Sequence, residues 1–355
     1  MNRVPMVDLC ARHERVADVL EPQLLKWIRG GRYVGGPAVE RCESAVAERF
    51  GRAHGVGVAS GTDALALSLR ALGVTAGDEV LIPALSFFAT AGAVLHLGAR
   101  PIVVDVLEEQ PLMDPDAAVE ALTPRTKAAI VVHLYGGRCA APNVDVPIIE
   151  DSAQAAGQTP PARAGCLTAV SFYPTKTLGG AGEGGMVATD DSDLAGRVRA
   201  LGNHGHVAGA LHLHERVSGH VGINSRLDPI QALVVSAHLA DLSSRIERRQ
   251  RLANAYDDAL PDAAQKVVRE SGHPVHQYVL RSGHRAALIG HLDQAGIDSA
   301  IYYPRSLASQ PAVVRQPPTP IADRWAAELL ALPCHVGISD ESADRICDAL
   351  ASFRA

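Results

Sequence analysis

The sequence has no excess of positive charge, no long apolar segment and no paired cysteine motif. Its 355 residues contain 33 Lys and Arg against 39 Asp and Glu, which argues against nucleic acid as the main partner. No stretch of 18 apolar residues is present to span a membrane, and the N-terminal residues lack the apolar segment of a secretion signal. The six cysteines form no Cys-x-x-Cys pair. We therefore expect reduced, buried cysteines and a cytoplasmic location.

The pattern of apolar runs predicts the architecture. At 47% hydrophobic residues, the chain can bury one large core and a second, smaller one. From residue 56 to about 200, apolar runs alternate with helical patterns, which predicts an α/β fold with a mostly parallel sheet between helices. A long helix from about residue 230 leads into a smaller domain, so we expect domains at 1–235 and 236–355. The predicted strands are 56–59, 79–82, 101–106, 128–135, 146–151, 167–172 and 185–189.

Two residues have the chemistry needed to hold pyridoxal phosphate. Asp151 ends an apolar run, and Lys176 lies 25 positions later (176 − 151) in a loop of small residues. A lysine amine forms a Schiff base with the cofactor aldehyde. A carboxylate paired with the pyridine nitrogen keeps that nitrogen protonated, so that the ring accepts electrons. Together the two residues predict a catalytic pair that depends on this cofactor.

A strand, a tight turn and a helix are predicted over residues 56–69, and they suit the cofactor phosphate. Gly61 allows close backbone approach, and the first N–H groups of a helix starting near Thr62 would point at an anion. Ser171 offers a hydroxyl to the same phosphate. Thr62, Asp151 and Ser171 all follow the ends of predicted strands, where parallel sheets bind ligands. Taken alone, the Ser-Gly-Thr turn is equally typical of an ordinary helix N-cap.

Five motifs follow one another in a specific order: Ser-Gly-Thr-Asp-Ala-Leu (60–65), Pro-Ala-Leu-Ser-Phe-Phe-Ala-Thr-Ala (83–91), Glu-Asp-Ser-Ala-Gln (150–154), Ser-Phe-Tyr-Pro-Thr-Lys (171–176) and Asn-Ser-Arg-Leu-Asp (224–228). In this combination the chain resembles the sugar aminotransferases of the DegT/StrS type, which are fold type I enzymes dependent on pyridoxal phosphate. The similarity extends from about residue 5 to the C-terminus. It implies a large cofactor domain and a smaller C-terminal α+β domain.

The resemblance also implies roles for three further residues. Phe87 matches the aromatic residue that stacks on the cofactor ring; the alternative is a core phenylalanine. Gln154 matches the residue that contacts the phenolic oxygen of the ring, whereas its local pattern alone predicts an exposed helix residue. Asn224 matches an asparagine that reaches the phosphate of the partner subunit; otherwise it is a loop residue. The match at Asn224 implies a homodimer with shared active sites.

The implied reaction moves an amino group from an amino acid, glutamate in the family, to a keto group of a nucleotide-linked sugar. The segment Phe-Tyr-Pro-Thr-Lys-Thr-Leu-Gly (172–179) resembles members that aminate C-3, which favours a 3-keto deoxy sugar. Acceptors with a 4-keto group and keto-cyclitols are the alternatives. Tyr302 and Tyr303 stand where many members have His-Tyr, and they would supply hydroxyls and a flat apolar face to the sugar.

The chain also departs from the family pattern. Ala156 and Thr177 replace a frequent histidine and asparagine, and the segment between Asn203 and Asn224 contains five histidines. A metal site is one interpretation of those histidines. A loop with solvated imidazoles is the interpretation we favour, because no carboxylate or cysteine completes a ligand set. The sequence therefore predicts no metal.

Three other classes of protein share parts of this pattern. Sugar dehydratases of the same family carry histidine in place of Lys176. Cysteine desulfurases usually have histidine just before the lysine, where this chain has Thr175. A non-catalytic regulator has no need to keep both Lys176 and Asp151. All three comparisons favour an aminotransferase.

Overall fold

The computed structural model describes residues 3–206, 209–210, 212–314 and 316–355. Its larger sheet has seven strands in the order β1-β7-β6-β5-β4-β2-β3. Strand β7 runs antiparallel to both of its neighbours, and the other pairs are parallel. The seven predicted runs and the mostly parallel sheet are confirmed. The strands are β1 His54–Val58, β2 Glu79–Pro83, β3 Arg100–Val104, β4 Thr126–Val132, β5 Ile148–Asp151, β6 Leu167–Ser171 and β7 Gly185–Thr189.

Helices pack around this sheet, and a second, three-stranded antiparallel sheet lies in the C-terminal part. In the described part of the chain, no helix has both the length and the apolar content needed to cross a membrane. The helices are α1 Leu9–Glu14, α2 Ala17–Arg29, α3 Pro37–Arg49, α4 Gly61–Ala71, α5 Ala89–Leu95, α6 Pro115–Glu120, α7 Ser192–Gly202, α8 Pro229–Ala240, α9 Leu242–Asp258, α10 Arg285–Gln294, α11 Pro320–Glu328 and α12 Asp340–Ser352. The strands of the second sheet are β8 Gln265–Lys266, β9 Tyr278–Arg281 and β10 Leu329–Leu332.

The helix predicted from about residue 230 is in fact two helices. Asp241, between α8 and α9, has φ −93° and ψ 0°. Its carboxylate accepts two hydrogen bonds of 2.7 Å from Arg15 and lies 3.3 Å from Nε of Arg245. These ion pairs hold the bend. The local pattern of apolar residues contains no sign of it, because Arg15 is more than 200 positions away.

The largest cluster of buried apolar residues surrounds the seven-stranded sheet and includes Val279 and Ala331 from one face of the second sheet, whose other face, with Leu280 and Leu330, lies in a smaller cluster. The predicted domain boundary at residue 235 falls inside α8 and stays a prediction. The N-terminal segment packs with the later residues: Val4 forms a parallel bridge with Ile297, and Arg3 pairs with Asp293 at 2.6 Å. Arg3 and Val4 therefore contact the C-terminal part, and Val4 is buried there.

Candidate active site

A cavity of about 470 Å³ lies at the carboxyl end of the large sheet, beside the loop that contains Lys176. We call residues 172–184, which join β6 to β7, the lysine loop. Asn224 is absent from the wall of the cavity. Nine of the ten site residues predicted from the sequence line it: Gly61, Thr62, Phe87, Asp151, Gln154, Ser171, Lys176, Tyr302 and Tyr303.

Asp151 and Lys176 are close enough to affect each other's charge. Asp151 is the last residue of β5 and is 8% exposed. Burial raises its pKa, while a hydrogen bond from the N–H of Ala153 at 3.1 Å and the nearby amine of Lys176 lower that pKa. Burial lowers the pKa of Lys176, and Asp151 opposes this effect. Each group therefore stabilises the charged form of the other against desolvation.

The N-terminus of α4 faces the cavity. The hydroxyl of Ser60 accepts a hydrogen bond from the N–H of Asp63 at 3.0 Å, so the N-cap predicted as the alternative is present. The cap does not use the N–H groups of Gly61 and Thr62, which have no intrahelical partner at a helix start. A Cβ atom at Gly61 would lie 2.6 Å from Cβ of Ser171. Glycine at this position therefore lets the helix start lie against the end of β6.

Gln154 is buried and lies in a turn. The prediction of an exposed helix residue, made from its local pattern alone, is therefore wrong. Its Oε1 accepts a hydrogen bond of 2.7 Å from the N–H of Tyr135. Its Nε2 donates to the hydroxyl of Tyr303 at 3.3 Å. These long-range contacts hold the amide inside the cavity wall.

Phe87 and the two tyrosines form an aromatic side of the cavity. Phe87 is 53% exposed, so the alternative of a core phenylalanine is wrong. Its ring centroid lies 5.9 Å from that of Tyr303, which is also 5.9 Å from that of Tyr302. The hydroxyl of Tyr135 donates to the carbonyl oxygen of Tyr302. The ring of Phe87 is therefore free on one side to contact a flat ligand.

Asn224 lies on the surface, outside the cavity of its own chain. The next residue, Ser225, is buried, and its hydroxyl donates to the carboxylate of Asp63 at 2.7 Å and accepts the N–H of Ala59 at 3.0 Å. The start of α4 and the segment containing Asn224 are thus joined.

Arg12 holds the lysine loop by its backbone, a contact that the sequence did not predict. Its Nη1 donates to the carbonyl oxygen of Pro174 at 2.6 Å and to that of Lys176 at 3.3 Å, and its Nη2 donates to that of Gly180 at 3.3 Å. Burial lowers the pKa of Arg12 to about 10. A cation on α1 therefore fixes the backbone on both sides of the lysine.

Arg245 and His238 hold the next carbonyl groups of the same loop. Nη1 of Arg245 donates to Thr177 at 2.8 Å, and Nδ1 of His238 donates to Gly179 at 2.6 Å. Burial lowers the pKa of Arg245 to about 9 and that of His238 to about 4. No local motif marks these residues, because each bonds to main-chain atoms more than 50 positions away.

His276 is a further cavity residue that sequence reasoning missed. Its Nδ1 lies 3.2 Å from the hydroxyl of Thr177, and its backbone N–H donates to the carbonyl oxygen of Tyr135 at 3.0 Å. Burial, with the charges of Lys176 and Arg249, lowers its pKa well below the usual value. The ring is therefore neutral beside the lysine.

The histidine-rich segment lies away from the cavity wall. The ring centroid of His214 is 6.4 Å from that of His204 and 5.7 Å from that of His206. Residues 207, 208 and 211 of this segment lie outside the described residues. Among the residues that are described, no group of three or more His, Cys, Asp or Glu side chains is arranged to hold a metal ion.

The model of the DegT/DnrJ/EryC1/StrS aminotransferase family matches residues 17–351. The chain belongs to this family. It is therefore an aminotransferase dependent on pyridoxal phosphate, as the resemblance predicted.

Two relatives of this aminotransferase align over nearly their full length. The UDP-2-acetamido-2-deoxy-3-oxo-D-glucuronate aminotransferase of Pseudomonas aeruginosa is 34% identical, over 98% of this chain and 99% of that protein. The dTDP-3-amino-3,4,6-trideoxy-alpha-D-glucose transaminase of Streptomyces venezuelae is 37% identical, over 98% of this chain and 95% of that protein.

Two crystal structures share the fold of this aminotransferase. DesV of S. venezuelae is 36% identical and has a TM-score of 0.91, with all of both chains covered. NtdA of Bacillus subtilis, solved with the bound cofactor PMP, is 27% identical and also has a TM-score of 0.91, over 99% of this chain and 85% of that one. The predicted fold class is confirmed.

The cavity of this aminotransferase fits the cofactor of the family. It places a buried carboxylate, a lysine amine and the start of a helix around one space of about 470 Å³. These are the groups that a pyridinium nitrogen, an aldehyde and a phosphate need. When bound, pyridoxal phosphate supplies a ring that accepts the electrons released by deprotonation of the amino donor.

Proposed function

We propose that this aminotransferase moves an amino group from glutamate to the 3-keto group of a nucleotide-linked deoxy sugar. The observation that carries the proposal is the pair of relatives described above, which are named for a 3-oxo and a 3-amino nucleotide sugar. Both align with nearly the whole of this chain, so the cavity walls are included in the similarity.

We propose the following roles for the cavity residues. The amine of Lys176 holds the cofactor and, once released, moves a proton between donor and cofactor. Asp151 pairs with the pyridine nitrogen, and Gln154 contacts the phenolic oxygen beside it. Phe87 stacks on the ring. The phosphate binds to Gly61, Thr62 and Ser171. The closeness of Gly61 to Ser171 supports one compact phosphate site.

The sugar would bind along the wall formed by Tyr173, Tyr302 and Tyr303. Tyr173 is 47% exposed and lines the cavity on the side of the lysine loop. Tyr302 and Tyr303 line it from the C-terminal part of the chain. Because this wall lies beside the lysine, the wall limits how a hexose can turn. It would therefore determine which carbonyl group of the sugar faces the cofactor.

We also propose a cytoplasmic homodimer in which Asn224 reaches the phosphate of the partner subunit. The exposure of Asn224 and its link through Ser225 to Asp63 support this role. Several apolar side chains on and after α2 are also exposed: Val19 by 64%, Leu25 by 50%, Ile28 by 46% and Val34 by 70%. An interface between subunits would cover exposed apolar side chains of this kind.

A screen of acceptors tests the proposed substrate. The amine form of the cofactor is bound to the protein and mixed with 3-keto nucleotide sugars, 4-keto nucleotide sugars or keto-cyclitols. We expect the absorbance of the lysine-bound cofactor to return fastest with a 3-keto sugar. A faster return with a 4-keto sugar or a keto-cyclitol would contradict the proposal and favour that acceptor.

A further inference from the structure

A second, small cleft adjoins the cavity of Lys176. Its volume is about 40 Å³, and Thr175, His276, Gln277 and Tyr302 line both spaces. Roughly 10–15 Å³ on this measure holds one water molecule. The cleft therefore accommodates a group of a few heavy atoms but no sugar ring. Its position suits a small polar group of a ligand whose remainder lies beside the lysine.

Arg249, on α9, lines this cleft. Its Nη1 donates to the carbonyl oxygens of Val275 at 3.1 Å and His276 at 3.0 Å. In the described part of the chain, Nε and Nη2 donate to no acceptor, and no carboxylate forms an ion pair with Arg249. A guanidinium binds a carboxylate through two parallel N–H groups. Arg249 thus retains the donors needed to bind an anion.

The charges around the cleft also favour an anion. Arg249 and Lys176 both lower the pKa of His276, and Arg249 lowers the pKa of Arg12 as well. Burial lowers the pKa of His335, and the charge of Asp8, which is not part of the cleft wall, only partly opposes this effect. Asp151 lies beside Lys176, in the larger cavity. The wall of the cleft therefore carries excess positive charge.

His335 provides an independent sign that the cleft receives a ligand. It lines the cleft and is only 6% exposed. Its Nε2 lies 3.0 Å from the carbonyl oxygen of Pro5, which only accepts hydrogen bonds, so Nε2 carries the proton of the neutral ring. Nδ1 is then an acceptor, and it has no partner. Buried polar atoms are rarely left unpaired.

We propose that this cleft recognises the amino donor and that Arg249 binds its α-carboxylate. Nδ1 of His335 accepts a hydrogen bond from a water molecule held beside the carboxylate. The amine and the carboxylate of an α-amino acid share one carbon atom, so the amine lies in the cavity of Lys176 while the carboxylate lies in the adjoining cleft. The inference rests on the proposed use of an amino-acid donor and is independent of the sugar.

The test measures the donor half of the reaction without any acceptor. The holoenzyme and Arg249→Gln are mixed with L-glutamate or L-alanine, and the loss of lysine-bound cofactor absorbance is followed. Losing a hydrogen-bonded charge should raise Kd for both donors by about 10- to 100-fold. Binding of α-methyl-L-glutamate, which has no α-proton to lose, should weaken by the same factor in calorimetry.

Two further variants separate recognition from folding. Val7→Phe enlarges a side chain that lines the cleft and leaves Arg249 in place, so it should weaken donor binding as well. Arg251→Gln removes an exposed arginine from the same helix and should change nothing. Unchanged donor affinity in both cleft variants overturns the proposal. A loss for glutamate with none for alanine also overturns it, because Arg249 would then bind the side-chain carboxylate.

The acceptor half of the reaction distinguishes this inference from the proposed function. When it is supplied with the amine form of the cofactor, Arg249→Gln should lose less in the acceptor half-reaction than it loses in donor affinity. If no 3-keto sugar reacts with the parent protein, the proposed acceptor is wrong, and the donor measurements stand unaffected.

Discussion

Gly61 lies so close to Ser171 that a methyl group on residue 61 would come within 2.6 Å of the serine Cβ. The contact joins the start of α4 to the end of β6. The lysine loop begins one residue later, so the spacing between the helix start and the lysine depends on the absence of a side chain at residue 61.

Gly61→Ala should weaken cofactor binding. The added methyl group must push α4 away from β6, and overpacking of this kind costs about 1–3 kcal/mol. We expect a higher Kd in titrations of the cofactor-free protein with pyridoxal phosphate. Gly196→Ala in α7 is the control, since a Cβ atom there meets no other atom within 4 Å. Equal affinity in the two variants would show that the contact is unimportant.

Lys176→Ala should lose the absorbance of the lysine-bound cofactor and the turnover together. The amine both holds the cofactor and moves the proton, and no other lysine lines the cavity in the described part of the chain. Absorption spectra and steady-state assays measure the two effects. Lys127→Ala, at an exposed position of β4, is the control. Turnover within tenfold of the parent would refute the role of Lys176.

Asp151→Asn should retain the cofactor but reduce transamination by orders of magnitude. Removing one partner of a buried ion pair costs about 3–5 kcal/mol, and the ring nitrogen should respond by losing its proton. Because Asp151 also raises the pKa of Lys176, the free amine of the variant should titrate at a lower pH. Rates of the donor half-reaction and the pH dependence of cofactor capture test both effects. An unchanged rate would mean that Asp151 is structural.

Asn224→Asp should lower cofactor affinity in a homodimer, because it brings a carboxylate towards a phosphate that carries about −1.5 to −2 charges. Mixing this variant with Lys176→Ala should restore part of the activity, since one of the two sites in each heterodimer is then intact. Subunit exchange is verified with differently tagged chains. Absence of recovery after exchange would contradict a role across the interface.

His238→Asn should make folding less sensitive to acid. Burial lowers the pKa of His238 from 6.5 to about 4, so the unfolded chain binds more protons between these values. The free energy of unfolding therefore falls as the pH falls from 6.5 to 4. Asparagine keeps an N–H for Gly179 and binds no proton, so urea unfolding should vary less over this range. His96→Asn, at an exposed position, should keep the parent's pH dependence.

The site residues that could be predicted from the sequence lie at the ends of strands or at the start of the helix that follows a strand. Asp151 and Ser171 end β5 and β6, and α4 begins at Gly61, one residue before the position expected from Thr62. Parallel strands bring their carboxyl ends to one edge of the sheet, so local patterns were enough to bring these residues together.

The residues that could not be predicted owe their places to distant partners. Gln154 is buried because Tyr135 and Tyr303 bond to its amide, and Tyr303 is 149 positions away. Arg12 reaches the lysine loop across more than 160 residues. Their local patterns resemble ordinary helix or turn segments, because the contacts that place them form only in the folded chain.

The bridge between Val4 and Ile297 has a consequence for the order in which the molecule is made. A ribosome releases the N-terminal segment first, yet the residue that covers it is synthesised almost 300 positions later. Tyr303, on the cavity wall, follows six residues after Ile297. Domains generally fold as units during synthesis. The large sheet can therefore form before Val4 has its partner Ile297. The wall of the cofactor cavity is therefore complete only after residue 303 has been synthesised.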